Sequence, residues 1–233
     1  MAQEQIFEIR EDRTKALALD IAARIDHAVA ERGAASLIAT GGSTPGPLYD
    51  ALAEAPAAWD KTSITLTDER WVDPTDAASN ERLVRERLLV GHAAAAWFVG
   101  LKTAATTAAE AAPTVQRALE ALPRPFDVVI LGMGGDGHFA SLFPQAPELA
   151  IGLDPKAAAL VVPVRREDAA GAAERLSLTA GAILDAHWIA ILIDGQDKLD
   201  LCRRAMAGDD PLELPIRAIL NQASVPVEIW WAP

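Results

Sequence analysis

Short runs of consecutive apolar residues alternate with stretches whose apolar positions recur every three or four residues, almost to the end of the chain. The short runs predict strands at Gln5–Ile9, Ser36–Thr40, Ile64–Thr67, Trp97–Leu101, Asp127–Leu131, Leu160–Val164, Trp188–Ile193 and Val227–Trp231. The periodic stretches predict helices over Arg13–Glu31, Gly46–Glu54, Asn80–Leu89, Ala104–Leu122, Ala180–Ala186 and Gln196–Met206. In the first helix Leu17, Ile21, Ile25 and Val29 form one apolar stripe, and Gly33 stands where a left-handed C-cap is expected. No internal repeat or low-complexity linker interrupts the pattern, so residues 1–233 are read as a single α/β domain. Strands alternating with helices predict a mostly parallel sheet with helices on both faces. In such sheets ligands collect beyond the carboxyl ends of the strands. Three predicted strand ends carry unusual loops: TGGSTP from Thr40, TDERWVDP from Thr67 and GMGGDGH from Gly132.

Composition narrows the chemistry. Hydrophobic residues make up 51% of the 233, enough for a sizeable core, yet no long apolar stretch is free of charge or proline, so no membrane span is expected. The acidic amino-terminal segment lacks the apolar core of a signal peptide, and the single cysteine, Cys202, excludes an intrachain disulfide; a cytoplasmic location is expected. A formal net charge of −12 makes the chain a poor general binder of nucleic acid or anionic membrane. An anionic ligand would have to be met by local features that overcome this field, such as helix amino termini and a few aimed cations. His27, His92, His138 and His187 form no HExxH or Cys/His cluster, so no metal site is predicted.

The loop after Leu131 contains Gly132, Gly134 and Gly137 in G-x-G-x-x-G spacing, the pattern of a dinucleotide-binding turn. Its context disagrees: Pro144 and Pro147 block the long helix that must follow, and the acid at about the right distance, Asp154, precedes Pro155 in a loop-like segment. The glycines instead permit a sharp turn that presents Asp136 and His138 at a strand end, where a histidine is placed to act as a base. A purely structural turn with a capping aspartate is the alternative. In Thr40–Pro45, small residues, two hydroxyls and a helix start suit a phosphate, although the segment also reads as an ordinary helix cap and is not a Walker loop. Asp68, Glu69 and Arg70 read either as an internal ion-pair cluster or as an arginine oriented by carboxylates toward a carbonyl or phosphate. Arg175 and Lys198 are isolated cations near predicted helix starts. His27, His92, His187 and the tryptophans read as structural.

Together these motifs resemble the 6-phosphogluconolactonase family, part of a superfamily with glucosamine-6-phosphate isomerases. The matching stretches are GGSTP (41–45), DERWV (68–72), SNERL (79–83), LGMGGDGHFASLFP (131–144), RLSLT (175–179) and GQDK (195–198). The resemblance implies a Rossmann-like three-layer sandwich and hydrolysis of 6-phospho-D-glucono-1,5-lactone in the oxidative pentose phosphate pathway. It implies neither cofactor nor metal, and the expected partner is the small phosphorylated lactone alone, met by a monomer or small homo-oligomer. Carried over by motif, His138 is the base that activates water, with Asp136 and Arg70 beside it in the catalytic set. Gly42, Ser43 and Thr44 hold the phosphate with Arg175 and Lys198, and Asp68, Glu69 and Gly134 complete the substrate site. The isomerases carry a DGHIAFNEP-like stretch whose glutamate aligns with Phe143, and a DEY triplet where Asp68-Glu69-Arg70 stands. Both departures favour lactone hydrolysis over isomerisation or deamination; a non-catalytic sugar-phosphate sensor is the remaining alternative.

Overall fold

The computed structural model describes residues 2–167 and 171–233. In chain order its strands and α-helices are β1 (Gln3–Ile6), α1 (Arg10–Arg32), β2 (Ala35–Ala39), α2 (Gly46–Glu54), β3 (Thr62–Leu66), β4 (Asp68–Arg70), α3 (Asn80–Arg87), β5 (Trp97–Phe98), α4 (Ala108–Glu120), β6 (Val128–Leu131), α5 (Leu149–Gly152), β7 (Val161–Arg165), β8 (Glu174–Leu178), α6 (Ala180–Leu184), β9 (Ile189–Asp194), α7 (Gln196–Met206), α8 (Arg217–Leu220) and β10 (Val227–Ala232). The apolar runs of β2 and β6 are buried along their whole length, as strands of a sheet covered on both sides must be. Among the described residues, no helix is long and apolar enough to cross a membrane.

Seven strands form a sheet in the order β1-β10-β9-β6-β2-β3-β5, and all its strand pairs are parallel. From β1 to β2 and on to β3 the chain steps one way across the sheet; from β6 to β9 and β10 it steps the other. Right-handed crossovers therefore put α1 and α2 on one face and α7 on the other. The reversal falls between the neighbours β2 and β6, and the crevice beyond such a switch point is where open α/β sheets bind ligands. The TGGSTP and GMGGDGH loops leave these two strands.

A second sheet, β4-β8-β7, is antiparallel. It corrects two expectations. The run Leu160–Val164, expected in the parallel sheet, pairs as β7 in this small sheet, and the charged triplet Asp68–Arg70, expected in a loop, is a strand, paired with Glu174–Leu178, where no element was predicted. The chain passes from one sheet to the other at Thr67, whose N–H donates to Ala39 O of β2 while its carbonyl accepts from Leu178 N of β8.

Smaller differences have local causes. The first helix begins at Arg10 rather than Arg13, which shortens the preceding strand to end at Ile6. The fourth begins at Ala108 rather than Ala104, because Thr107 and Glu110 form a reciprocal capping box. Gly33 ends α1 in the left-handed conformation, its N–H donating to Val29 O.

Candidate active site

A cleft of about 200 Å³ opens at the switch point. The β2–α2 turn, the β6 turn, the start of α7 and the faces of β4 and β8 line it, so the loops singled out from the sequence converge there. Gly42, Ser43, Thr44, Asp68, Arg70, Gly134, His138, Arg175 and Lys198 all line the cleft.

The β2–α2 turn forms one part of the lining. Tyr49 of α2 ties this turn down from below: its hydroxyl donates to Thr40 O at 2.5 Å and accepts from Thr40 N at 2.8 Å. Thr40 Oγ1 also accepts from Gly132 N at 3.3 Å, joining the β2 and β6 turns. Neither α2 nor α7 has a side-chain cap at its amino terminus, which leaves the positive end of each dipole open. Among the described residues, the Ser43 and Thr44 hydroxyls make no side-chain hydrogen bond and the Lys198 ammonium has no ion-pair partner.

The β6 turn lies beside the β2–α2 turn. Gly137, at φ 82°, lies in the left-handed region, and Gly137 N donates to Gly134 O while Gly134 N donates to His138 O. The turn brings Asp136 Oδ1 within 2.5 Å of His138 Nδ1 and 3.1 Å of His138 N. Asp136 does not line the cleft; it reaches it through His138. Burial pushes the Asp136 carboxyl up, but the hydrogen bond and charge of His138 outweigh it and hold the group at about 2. An ionised Asp136 is an acceptor only, so in the neutral imidazole Nδ1 carries the proton and Nε2 keeps its lone pair. The Phe143 ring packs against the imidazole with centroids 4.5 Å apart.

The small sheet forms the wall. Arg70 and Arg175 stand directly opposite one another in the β4–β8 ladder, an unfavourable pairing of like charges. Backbone carbonyls share the load: Arg70 Nη1 donates to Ala78 O and Arg175 Nε to Ala172 O. Burial, offset by Asp68 and reinforced by Arg70, lowers the Arg175 pKa. Among the described residues, the buried Arg70 Nε has no hydrogen-bond partner.

Glu69 departs from its expected place at the substrate. Successive residues of a strand face opposite sides, so Asp68 and Arg70 face the cleft and Glu69 faces away, fully buried. Its carboxylate caps α3, accepting from Asn80 N (2.8 Å), Glu81 N (2.7 Å) and Ser79 Oγ (3.0 Å), and from its neighbour Arg70 N (2.7 Å). Burial raises its pKa, and these hydrogen bonds oppose the rise. Glu69→Ala strands several buried donors and is expected to lower stability by about 3 kcal/mol, read from urea unfolding.

Asn80 lines the cleft although sequence reasoning assigned it no role; its Nδ2 donates to Asp68 O at 2.8 Å and lies 3.2 Å from Asp68 Oδ1. Only its place in SNERL pointed to it. A Cβ on Gly41 would fall 2.0 Å from Asn80 Oδ1, so the first glycine of GGSTP makes room for this amide. Among the described residues, no group of three or more His, Cys, Asp or Glu side chains is arranged to hold a metal ion.

The family model described as glucosamine-6-phosphate isomerases/6-phosphogluconolactonase matches residues 8–231. The chain belongs to this family. Among family members, it is 44% identical to the 6-phosphogluconolactonase of Mesorhizobium japonicum, with 100% of both chains covered. It is 42% identical to that of Rhizobium meliloti, covering 100% of this chain and 99% of the relative. The crystal structure of a 6-phosphogluconolactonase from Shewanella baltica has a TM-score of 0.96 at 41% identity, over 100% of this chain and 98% of that one. The family fold extends to a monomeric glucosamine-6-phosphate deaminase, with a TM-score of 0.76 at 19% identity over 97% of this chain and 96% of that one.

Proposed function

We propose that this chain, acting as one domain, hydrolyses 6-phospho-D-glucono-1,5-lactone to 6-phosphogluconate, the lactonase step of the oxidative pentose phosphate pathway. The observation that carries this reading is His138, held through Nδ1 by an ionised Asp136 on the edge of a cationic cleft, with Phe143 rather than a carboxylate packed on its ring. An isomerase needs a further proton-handling group at that position; ester hydrolysis by water does not. Full-length relatives named 6-phosphogluconolactonase support the same activity.

A lactone is an activated ester and needs a positioned water, a base and a site for the developing oxyanion. Nε2 of His138 takes a proton from water as the oxygen attacks C1, a contribution worth roughly 10²–10⁴-fold. The C1–O5 bond then breaks, O5 takes the proton from the imidazolium, and the product acid ionises. Gly132, Gly134, Gly137 and His138 already spend their amides on bonds within the protein. Arg70, which lines the cleft, is therefore the better candidate to meet the oxyanion. The phosphate sits at the Gly42-Ser43-Thr44 turn with Lys198 and Arg175 as clamps, where uncapped helix ends add to the field. Binding at this remote group holds C1 in register. A local cluster of cations thus admits an anion to a protein of net charge −12. The reading includes no cofactor, metal, nucleic acid or membrane, and a cytoplasmic monomer or small homo-oligomer.

Lys198→Ala is expected to raise KM for the phosphorylated lactone about tenfold or more, with a much smaller effect on an unphosphorylated gluconolactone, in steady-state assays of both. Equal effects on the two would remove Lys198 from the phosphate. The reading as a whole is tested by offering the enzyme glucosamine 6-phosphate beside the lactone. Turnover of the lactone alone is expected, and ammonia release from the amino sugar would overturn it.

A further inference from the structure

Ser141 is fully buried and lies outside the cleft lining, yet its hydroxyl sits between two groups that line it. It donates to Asp68 Oδ2 at 2.5 Å, and Ser141 Oγ accepts from Arg175 Nη1 at 3.4 Å. Arg175 Nη1 and Asp68 Oδ2 are 3.9 Å apart, too far for a hydrogen bond of their own. A hydroxyl has one proton and two lone pairs, the carboxylate only accepts and the guanidinium only donates. One arrangement satisfies all three: the proton goes to Asp68 and a lone pair faces Arg175. The other oxygen of Asp68 is held by Thr67 Oγ1 and Asn80 Nδ2, each at 3.2 Å, so the carboxylate is a fixed anchor.

We propose that Ser141 is a positioning residue that transmits the anchor of Asp68 to Arg175, holding its guanidinium in the cleft against the repulsion of Arg70 across the β4–β8 ladder. Two further observations support the role. Ser141 N donates to Ser177 Oγ at 3.1 Å, which pins the residue to β8, the strand that carries Arg175. Ala140, at φ 48°, takes a left-handed conformation that L side chains rarely adopt, between His138 and Ser141. One short segment thus carries the base toward the cleft and, three residues on, the brace for the arginine away from it. Asp68 is in this arrangement a brace rather than a proton carrier.

The inference rests on the reading of Arg175 as a phosphate clamp, and a double-mutant cycle separates the two. Ser141→Ala is expected to raise KM for the phosphorylated lactone about tenfold, the low end for losing a hydrogen bond to a charged group, while kcat stays within about threefold. Introduced into Arg175→Ala, the same change is expected to add less than about twofold, because the group it positions is gone. Equal losses in both backgrounds, or a fall in kcat with KM unchanged, would overturn the role of Ser141. Should Ser141→Ala fail to fold by circular dichroism, Asp68→Asn in the same two backgrounds gives the same comparison: a KM effect only where Arg175 is present supports the brace, and equal effects overturn it. An Arg175→Ala enzyme with unchanged KM would instead overturn the clamp itself.

Discussion

His138→Ala is expected to lower kcat for lactone hydrolysis by at least about 100-fold while leaving KM and the melting temperature near those of the parent. The size follows from what is lost. Neither nearby carboxylate replaces Nε2: Asp68 is saturated by hydroxyl and amide donors, and Asp136 lies behind the imidazole. In the proposed reading the phosphate is held by residues 42–44, Arg175 and Lys198 rather than by the ring, so affinity should survive. The assay must be corrected for spontaneous hydrolysis. A variant that keeps more than about a tenth of parental turnover would show that water is activated elsewhere.

Gly134→Ala should have an effect of similar size for a different reason. The φ of Gly134 lies outside the left-handed region, so alanine suits the backbone, but the added Cβ would lie 2.2 Å from both Cε1 and Nδ1 of His138 and 2.8 Å from Asp136 Oδ1. The imidazole must leave its place on the carboxylate. Loss of this alignment is expected to cost about 100-fold in kcat, because misplacing a catalytic group by an ångström is commonly that expensive. KM for the phosphorylated lactone should change little, since the nearest atoms to the added Cβ belong to His138 and Asp136 rather than to the proposed phosphate turn. The check is steady-state kinetics together with the imidazole nitrogen shifts of His138, which should report loss of the Asp136 contact. Parental kcat in a folded Gly134→Ala enzyme would mean that the base does not need this geometry.

The sheet and the ends that matter were legible because their signals are local. Mostly apolar runs marked β2, β6 and β9, and glycine-rich turns directly after two of them marked the switch point. The small sheet was not legible. Asp68–Arg70 has no apolar residue, and what makes it a strand is pairing with a segment more than 100 positions later in the chain. For the same reason the alternation that turns Glu69 away from the cleft was hidden: three successive charges look alike until a strand assigns them to faces. Ser141 was invisible as a functional residue because its role comes from a three-body contact among distant segments. Asp136 and His138 were legible as a pair because the turn that joins them is only three residues long and its glycine permits the left-handed conformation that closes it.

The central claim is most directly tested by generating 6-phospho-D-glucono-1,5-lactone in the presence of the purified protein and following 6-phosphogluconate formation through an NADP-dependent dehydrogenase. The account predicts a rate above the spontaneous background that rises in proportion to enzyme and falls back nearly to background with His138→Ala. A rate indistinguishable from background at all enzyme concentrations, with 6-phosphogluconate still bound, would contradict it and identify the chain as a sugar-phosphate binder.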